Sequence, residues 1–298
     1  MYKQHPVSQW LSSVINGQQL YFKLLCAASA CLVLAAPAIV QLPGSQVVAQ
    51  KSVSPDLQTA TLYQQGVTRY HRNDLEGSES AFRLALERDS KLGVARKYLG
   101  NIMLMQNRPD LAIEEYRQAL RINPNMGEVY YNLGLAFHQQ GENEGAIAAY
   151  RRSVEIDSNN SATQYNLGLV LYESGQLQQA IAAYEAAIDL DSSNGNAYYN
   201  LAIAQQENGE TEQAIAAYRE VIKLQPKNAT AHRNLGIILY DQGELREAHG
   251  LLKRAQAAYK QQGKVEEAEK INELVQHIVV IEKQRQATQT ANPTPTAK

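Results

Sequence analysis

The chain has 298 residues, 44% of them hydrophobic and 19% charged, with a formal net charge of −2. That length admits one elongated domain or two globular ones. The balanced charge leaves out the basic stripe or face that nucleic-acid binding requires, so no nucleic-acid partner is expected.

The first segment in chain order differs from everything after it. No acidic residue precedes Asp56, Lys3 and Lys23 are positive, and Leu24 to Val40 is almost wholly apolar, interrupted at Pro37. Residues 1–49 therefore read either as a signal peptide, with small residues at Val47-Val48-Ala49 suited to cleavage, or as a retained membrane anchor. The run falls short of the roughly 20 residues that a spanning helix needs. Both readings put the rest of the chain on the non-cytoplasmic side, exported, periplasmic or membrane-anchored, because the lysines stay in the cytoplasm. Both cysteines, Cys26 and Cys31, lie in this segment, so the remainder has no thiol or disulfide chemistry. Cys31 follows Ala28-Ser29-Ala30 and faintly resembles a lipoprotein signal, although leucine normally stands where Ala28 does. Residues 50–58 form a polar linker ending in Ser54-Pro55-Asp56, a helix start with Ser as cap and Pro in the first turn.

From here a period takes over. Gly66, Gly100, Gly134, Gly168, Ala202 and Gly236 stand 34 residues apart. Each is embedded in the same pattern, as in Tyr130-Tyr131-Asn132-Leu133-Gly134, then Phe137, Gly141, Ala146-Ile147, Tyr150 and the turn Asp157-Ser158-Asn159. Apolar residues three and four apart on both sides of a glycine predict two short amphipathic helices joined by a tight turn. Gly141, Gly175, Gly209 and Gly243 suit the left-handed conformation that closes the first helix of a pair. Pro124 and Pro226 mark ends of second helices. Gly134 and Ala146 are expected to let the paired backbones approach, with Tyr150 filling space toward the next pair, and Gly168 is expected to face Ala180 in the same way. Ser78 and Gln65 occupy slots that elsewhere hold Ala and Leu, so the first unit is atypical. A period of this size means that neighbouring units bury one another's apolar faces. Six units span 59–262.

His249 and Leu252 then replace the usual Ile and Tyr, and no turn signal separates Leu245 from Gln262, which predicts a longer helix. Gly263 breaks it. Val265, Ala268, Ile271, Val275 and Ile278 mark one face of a final helix over 263–286 that caps the stack. Residues 287–298 hold no core residue and are expected to be disordered.

Catalytic constellations are missing from this reading: no phosphate-cradling glycine loop, no Gly-x-Ser-x-Gly elbow and no His-Glu-x-x-His occurs. His71, His138 and His232 are too dispersed to be assumed to share a metal. No cofactor, metal or small-molecule substrate is expected. Asn159-Asn160-Ser161 and Asn228-Ala229-Thr230 match the glycosylation sequon, but Asn and Ser are turn formers where they stand.

The 34-residue period, the Leu-Gly pair, the later Ala, the aromatic after it and the occasional closing Pro closely resemble the tetratricopeptide repeat family over about Thr59 to Gln262. The resemblance implies an all-α fold, a right-handed solenoid of about six helix-turn-helix repeats, whose first helices line a concave groove. It further implies a non-enzymatic scaffold that binds protein or peptide segments in that groove.

By the same resemblance the slot two before the glycine points into the groove, and it holds Asn132, Asn166, Asn200 and Asn234. An amide offers donor and acceptor together, so such a row can hold the backbone of an extended peptide or simply satisfy local hydrogen bonds. Tyr131, Tyr165 and Tyr199 stand beside it, with Tyr172 and Tyr240 expected one turn further on, as candidate contact surface. Lys97, Asn101 and Asn132 match part of the set with which some family members grip a C-terminal carboxylate, but Ala162 and Asn166 stand where that set has basic residues. Glu128, Glu173, Glu207 and Asp241 tilt the groove negative and favour a neutral or basic segment. The alternative reading is an envelope assembly factor resembling the repeat lipoproteins that pilot secretin subunits.

Overall fold

A computed structural model describes residues 55–291; the signal or anchor over 1–49, most of the linker and the end of the C-terminal tail lie outside the described residues. Among the described residues there are helices and no strands. They run in chain order as α1 (Pro55–His71), α2 (Leu75–Arg88), α3 (Gly93–Met105), α4 (Pro109–Ile122), α5 (Gly127–Gln140), α6 (Asn143–Ile156) and α7 (Ser161–Glu173). There follow α8 (Leu177–Leu190), α9 (Gly195–Glu207), α10 (Thr211–Leu224), α11 (Ala229–Asp241), α12 (Leu245–Gln261) and α13 (Val265–Ala291). Six antiparallel pairs, α1/α2 through α11/α12, stack in sequence order, and α13 packs on the last. Among the described residues no helix is long and apolar enough to cross a membrane.

Local chemistry sets the boundaries. Gly141, Gly175, Gly209 and Gly243 have φ between 73° and 83°, the left-handed region expected of them. In the first two pairs Asn73 and Asn107, both at φ 60°, take that place, because Asn tolerates this conformation better than other side chains. Asn160, Asn194 and Asn228 cap α7, α9 and α11, each side-chain oxygen accepting from the backbone N–H three residues on. Two of these belong to the sequons, whose asparagines here shape turns and caps. Asp89, Asn123, Asp157 and Asp191 close the second helices by accepting a backbone N–H two residues later.

One contact recurs through the core. Tyr116, Tyr150, Tyr184 and Tyr218 are completely buried, with Phe82 in the same slot of the first pair. Each ring lies on the small residue of its own pair: a Cβ added to Gly100, Gly134 or Gly168 would stand 2.4, 2.5 or 2.7 Å from Tyr116, Tyr150 or Tyr184. The approach expected between the glycine and the small residue of the second helix is seen in the sixth pair, where a Cβ on Gly236 would stand 3.4 Å from the Ala248 carbonyl oxygen. The glycine makes room for the ring within the pair, and in the fifth pair the Tyr218 hydroxyl also reaches the next pair, accepting from the Asn234 amide. In the sixth pair Leu252 replaces the ring over Gly236. The atypical Ser78 is fully buried and donates its hydroxyl to the Gly66 carbonyl, 2.8 Å away, so its polarity is satisfied.

The core falls into two clusters. A continuous one runs from Met103 to Ile278, and a separate one of Phe82, Ala95, Leu99 and Ile102 gathers Tyr63, Tyr70 and Tyr98 at the N-terminal end. At the other end α12 is longer than the other second helices, as the missing turn signal predicted. Ala268, Ile271, Val275 and Ile278 of α13 are buried. Val265, expected on the same face, is 60% exposed and is the first residue of the helix. Helix α13 also continues to Ala291, beyond the expected boundary at 287.

Candidate functional site

The first helices form one wall. Helix α1 touches α3, α3 touches α5, and α7 touches α9, which is the close spacing that the inner side of a curved stack requires. Hydrogen bonds run along this wall between successive first helices from α3 to α9. The Asn166 amide donates to the Tyr131 hydroxyl and the Asn200 amide to the Tyr165 hydroxyl, each at 3.1 Å. A parallel row joins the C-terminal ends of the helices: His138 Nε2 lies 2.9 Å from Glu173 Oε2, and the Tyr172 hydroxyl donates to Glu207 Oε1 at 2.6 Å. Both rows connect residues 35 apart, one period plus one.

The structure thus brings Asn132, Asn166, Asn200, Tyr131, Tyr165, Tyr199 and Tyr172 onto the same wall, all half-buried, but as bonded rungs. An amide nitrogen that donates one N–H to a tyrosine keeps its second N–H, and its carbonyl oxygen remains an acceptor. Asn234 departs from the row. It is buried, donates to the Tyr218 hydroxyl and accepts from the buried Arg233 guanidinium, so it belongs to the core of the last pair.

The partial carboxylate set is also internally paired. Lys97 Nζ lies 2.9 Å from Glu128 Oε2 and 4.7 Å from the centre of the Tyr98 ring. Asn101 Oδ1 accepts from both the Tyr116 hydroxyl and the Asn132 amide. Lys97, Asn101 and Asn132 are therefore neighbours, as the motif implied, yet the lysine charge is met by Glu128. His138 pairs with Glu173, while His232 is buried against the Pro226 carbonyl and His71 stands at the end of α1, so these three histidines are not brought together.

Sequence reasoning missed the aromatic end of this wall. Tyr63 and Tyr70 of α1 both meet the Tyr98 ring edge-on, at 6.1 and 5.2 Å between centres. Burial raises the Tyr63 and Tyr70 phenols above the ordinary tyrosine range, and for Tyr63 the neighbouring Tyr98 adds to this. The signal was present: Tyr98 stands in the slot of Asn132, and Tyr63 in that of Lys97 and Tyr131. Tyr172 is also raised, by burial first and then by its bond to Glu207.

A family model for the TPR repeat matches residues 100–141, 136–175, 168–209 and 207–243. The chain is similar to a crystal structure of MamA at 28% identity, covering 55% of this chain and 96% of that one with a TM-score of 0.53. Two further likenesses bear on the fold alone. YrrB, described as a TPR protein with an unusual peptide-binding site, is 24% identical over 57% of this chain and 88% of its own, with a TM-score of 0.53. Pseudomonas aeruginosa pilF is 21% identical over 72% and 97%, with a TM-score of 0.57. No curated protein sequence matches the chain. With the glycine–tyrosine contact repeated pair after pair, these likenesses identify the chain as an all-α solenoid carrying tetratricopeptide repeats.

Proposed function

We propose that this chain is a non-enzymatic interaction scaffold that holds extended protein segments along the inner wall of its solenoid. The observation that carries the reading is the ladder from Tyr131 to Asn200. It fixes a row of tyrosine rings and amides at one-repeat spacing before any partner arrives, which lowers the ordering cost of binding. The likeness to YrrB, described as having a peptide-binding site, supports it. Residues 1–49 carry the stack out of the cytoplasm, as a cleaved signal or a retained anchor; the support is the positive, acid-free, apolar leader.

Two experiments test this. Proteins captured by the chain should be lost when Tyr131, Tyr165 and Tyr199 are changed to Ala; an unaltered set would move the site off this wall. Fusing residues 1–58 to a reporter that works only after export should give activity, and cytoplasmic retention would sink the proposed location. The envelope assembly reading rests on Cys31 behind Ala28-Ser29-Ala30. It requires a mature chain that begins at that cysteine and carries lipid mass.

A further inference from the structure

Basic residues are segregated by face in the middle of this solenoid, whereas acidic residues stand on both faces. Among the described residues, the first helices of the three middle pairs, α5, α7 and α9, contain no lysine or arginine, and their acidic residues are Glu128, Glu173 and Glu207. The cations of the same stretch, Arg151, Arg152, Arg219 and Lys223, all stand on second helices. Glu173 and Glu207 are partly exposed at the end of the tyrosine wall and are held one repeat apart by His138 and Tyr172. The wall also shows how it receives a cation. Lys97 stands in the slot that holds Tyr131 one repeat later, and its ammonium sits between the Tyr98 ring and the Glu128 carboxylate. A ring face and a carboxylate together suit an ammonium or guanidinium. Further along, Glu207 meets the Tyr172 hydroxyl, and Glu173 and Glu207 end helices that carry Tyr165, Tyr172 and Tyr199 but no lysine or arginine.

We propose that the segment bound across α5, α7 and α9 is basic, an extended stretch of a partner protein whose lysines or arginines meet Glu173 and Glu207 while its backbone runs along the asparagine–tyrosine ladder. This rests on the groove reading above. Charge complementarity of this kind selects among partners and speeds their encounter more than it adds affinity, so acidic segments are rejected at the same wall.

Selecting a displayed library of short random peptides against the full chain tests both layers separately. Recovered binders should be enriched in Lys and Arg over the input pool. Their affinity should fall roughly tenfold in the Glu173→Gln/Glu207→Gln chain at low salt, the scale of two exposed ion pairs, and the difference should shrink as salt rises. Glutamine keeps the acceptor oxygen for His138 and Tyr172, and circular dichroism checks the fold. Binders without a basic bias, or basic binders indifferent to the two substitutions, would overturn the charge inference and leave the groove reading standing. A pool that yields no binder, or binders indifferent to Tyr165→Ala, would remove the groove reading and this inference with it.

Discussion

The ring of Tyr184 occupies the space into which a side chain on Gly168 would project: a Cβ there would stand 2.7 Å from Cδ1 and Cε1 of the ring. The fifth pair shows what a methyl does at this contact. Ala202 takes the glycine slot, and the angle between the Tyr199 and Tyr218 rings opens to 66°, against 51° for Tyr165 and Tyr184. The fifth pair thus buries a methyl and a tyrosine ring together in these two slots.

Gly168→Ala should therefore be mild. Relief of glycine's helix penalty, about 1 kcal/mol, offsets part of the crowding. Gly168→Leu cannot be accommodated by a turn of the ring and should cost about 1–3 kcal/mol. In a Tyr184→Ala background the leucine should lose that cost, because it enters the space the ring has left. Thermal melts of the four chains of this cycle measure the coupling; equal costs in both backgrounds would show that Gly168 and Tyr184 are not partners.

The same buried rings set the alkaline limit. Burial raises the Tyr116, Tyr184 and Tyr218 phenols well above the ordinary value of about 10. Above that pH the unfolded chain loses protons that the folded chain retains, so the unfolded state binds fewer and stability falls as pH rises. Below it the contribution is fully present. Each tyrosine gives a slope of about 1.4 kcal/mol per pH unit, and the three together about 4. Tyrosinate absorbance should lag for these rings and then appear together with the loss of helix. Full titration of all tyrosines in a still-helical chain would contradict their burial.

Which slots recur was legible in the chain; which slots meet was not. The period marks Gly134, Ala146 and Tyr150 equally, and only the packing of two helices decides that the ring covers the glycine. The asparagine row was placed correctly on the first helices, but its bonds span 35 residues, from Asn166 to Tyr131, and depend on how one repeat is set upon the next. Lys97 pairs with Glu128 across two helices for the same reason. The aromatic end was hidden because Tyr98 breaks the asparagine pattern, so a search for sameness passes over it.

Turn chemistry offers a third test. Gly175 has φ +73°, where a Cβ meets no neighbour but the backbone itself is strained. Gly175→Ala should cost about 1–2 kcal/mol, the left-handed penalty of an L residue. Asn107→Gly at φ 60° should be close to neutral, since lower strain is offset by the greater freedom of glycine in the unfolded chain. Chemical denaturation of both variants checks the contrast; a neutral Gly175→Ala would mean that the turn relaxes to another conformation.

The ladder separates stability from binding. Asn234 is buried against Tyr218 and Arg233, so Asn234→Ala leaves polar groups unpaired and should cost about 1–3 kcal/mol. Asn166 and Asn200 are half-buried with one tyrosine hydroxyl each, and their alanine variants should cost about 0.5–1.5 kcal/mol apiece. Binding must therefore be tested on Asn166→Ala/Asn200→Ala, which keeps the buried end intact. If these amides hold a peptide backbone, the double variant should weaken different partner segments to a similar degree, because backbone contacts carry no side-chain preference. Tyr131→Phe keeps the ring but removes the hydroxyl that receives Asn166, so any loss of binding it shares with Asn166→Ala belongs to the rung and not to the peptide. Tyr165→Ala and Tyr199→Ala should instead weaken partners unequally, each according to the side chain laid against the ring. Calorimetry on helical, folded variants reads these outcomes, and unchanged affinity in the double asparagine variant would assign the amides to holding the repeats together alone.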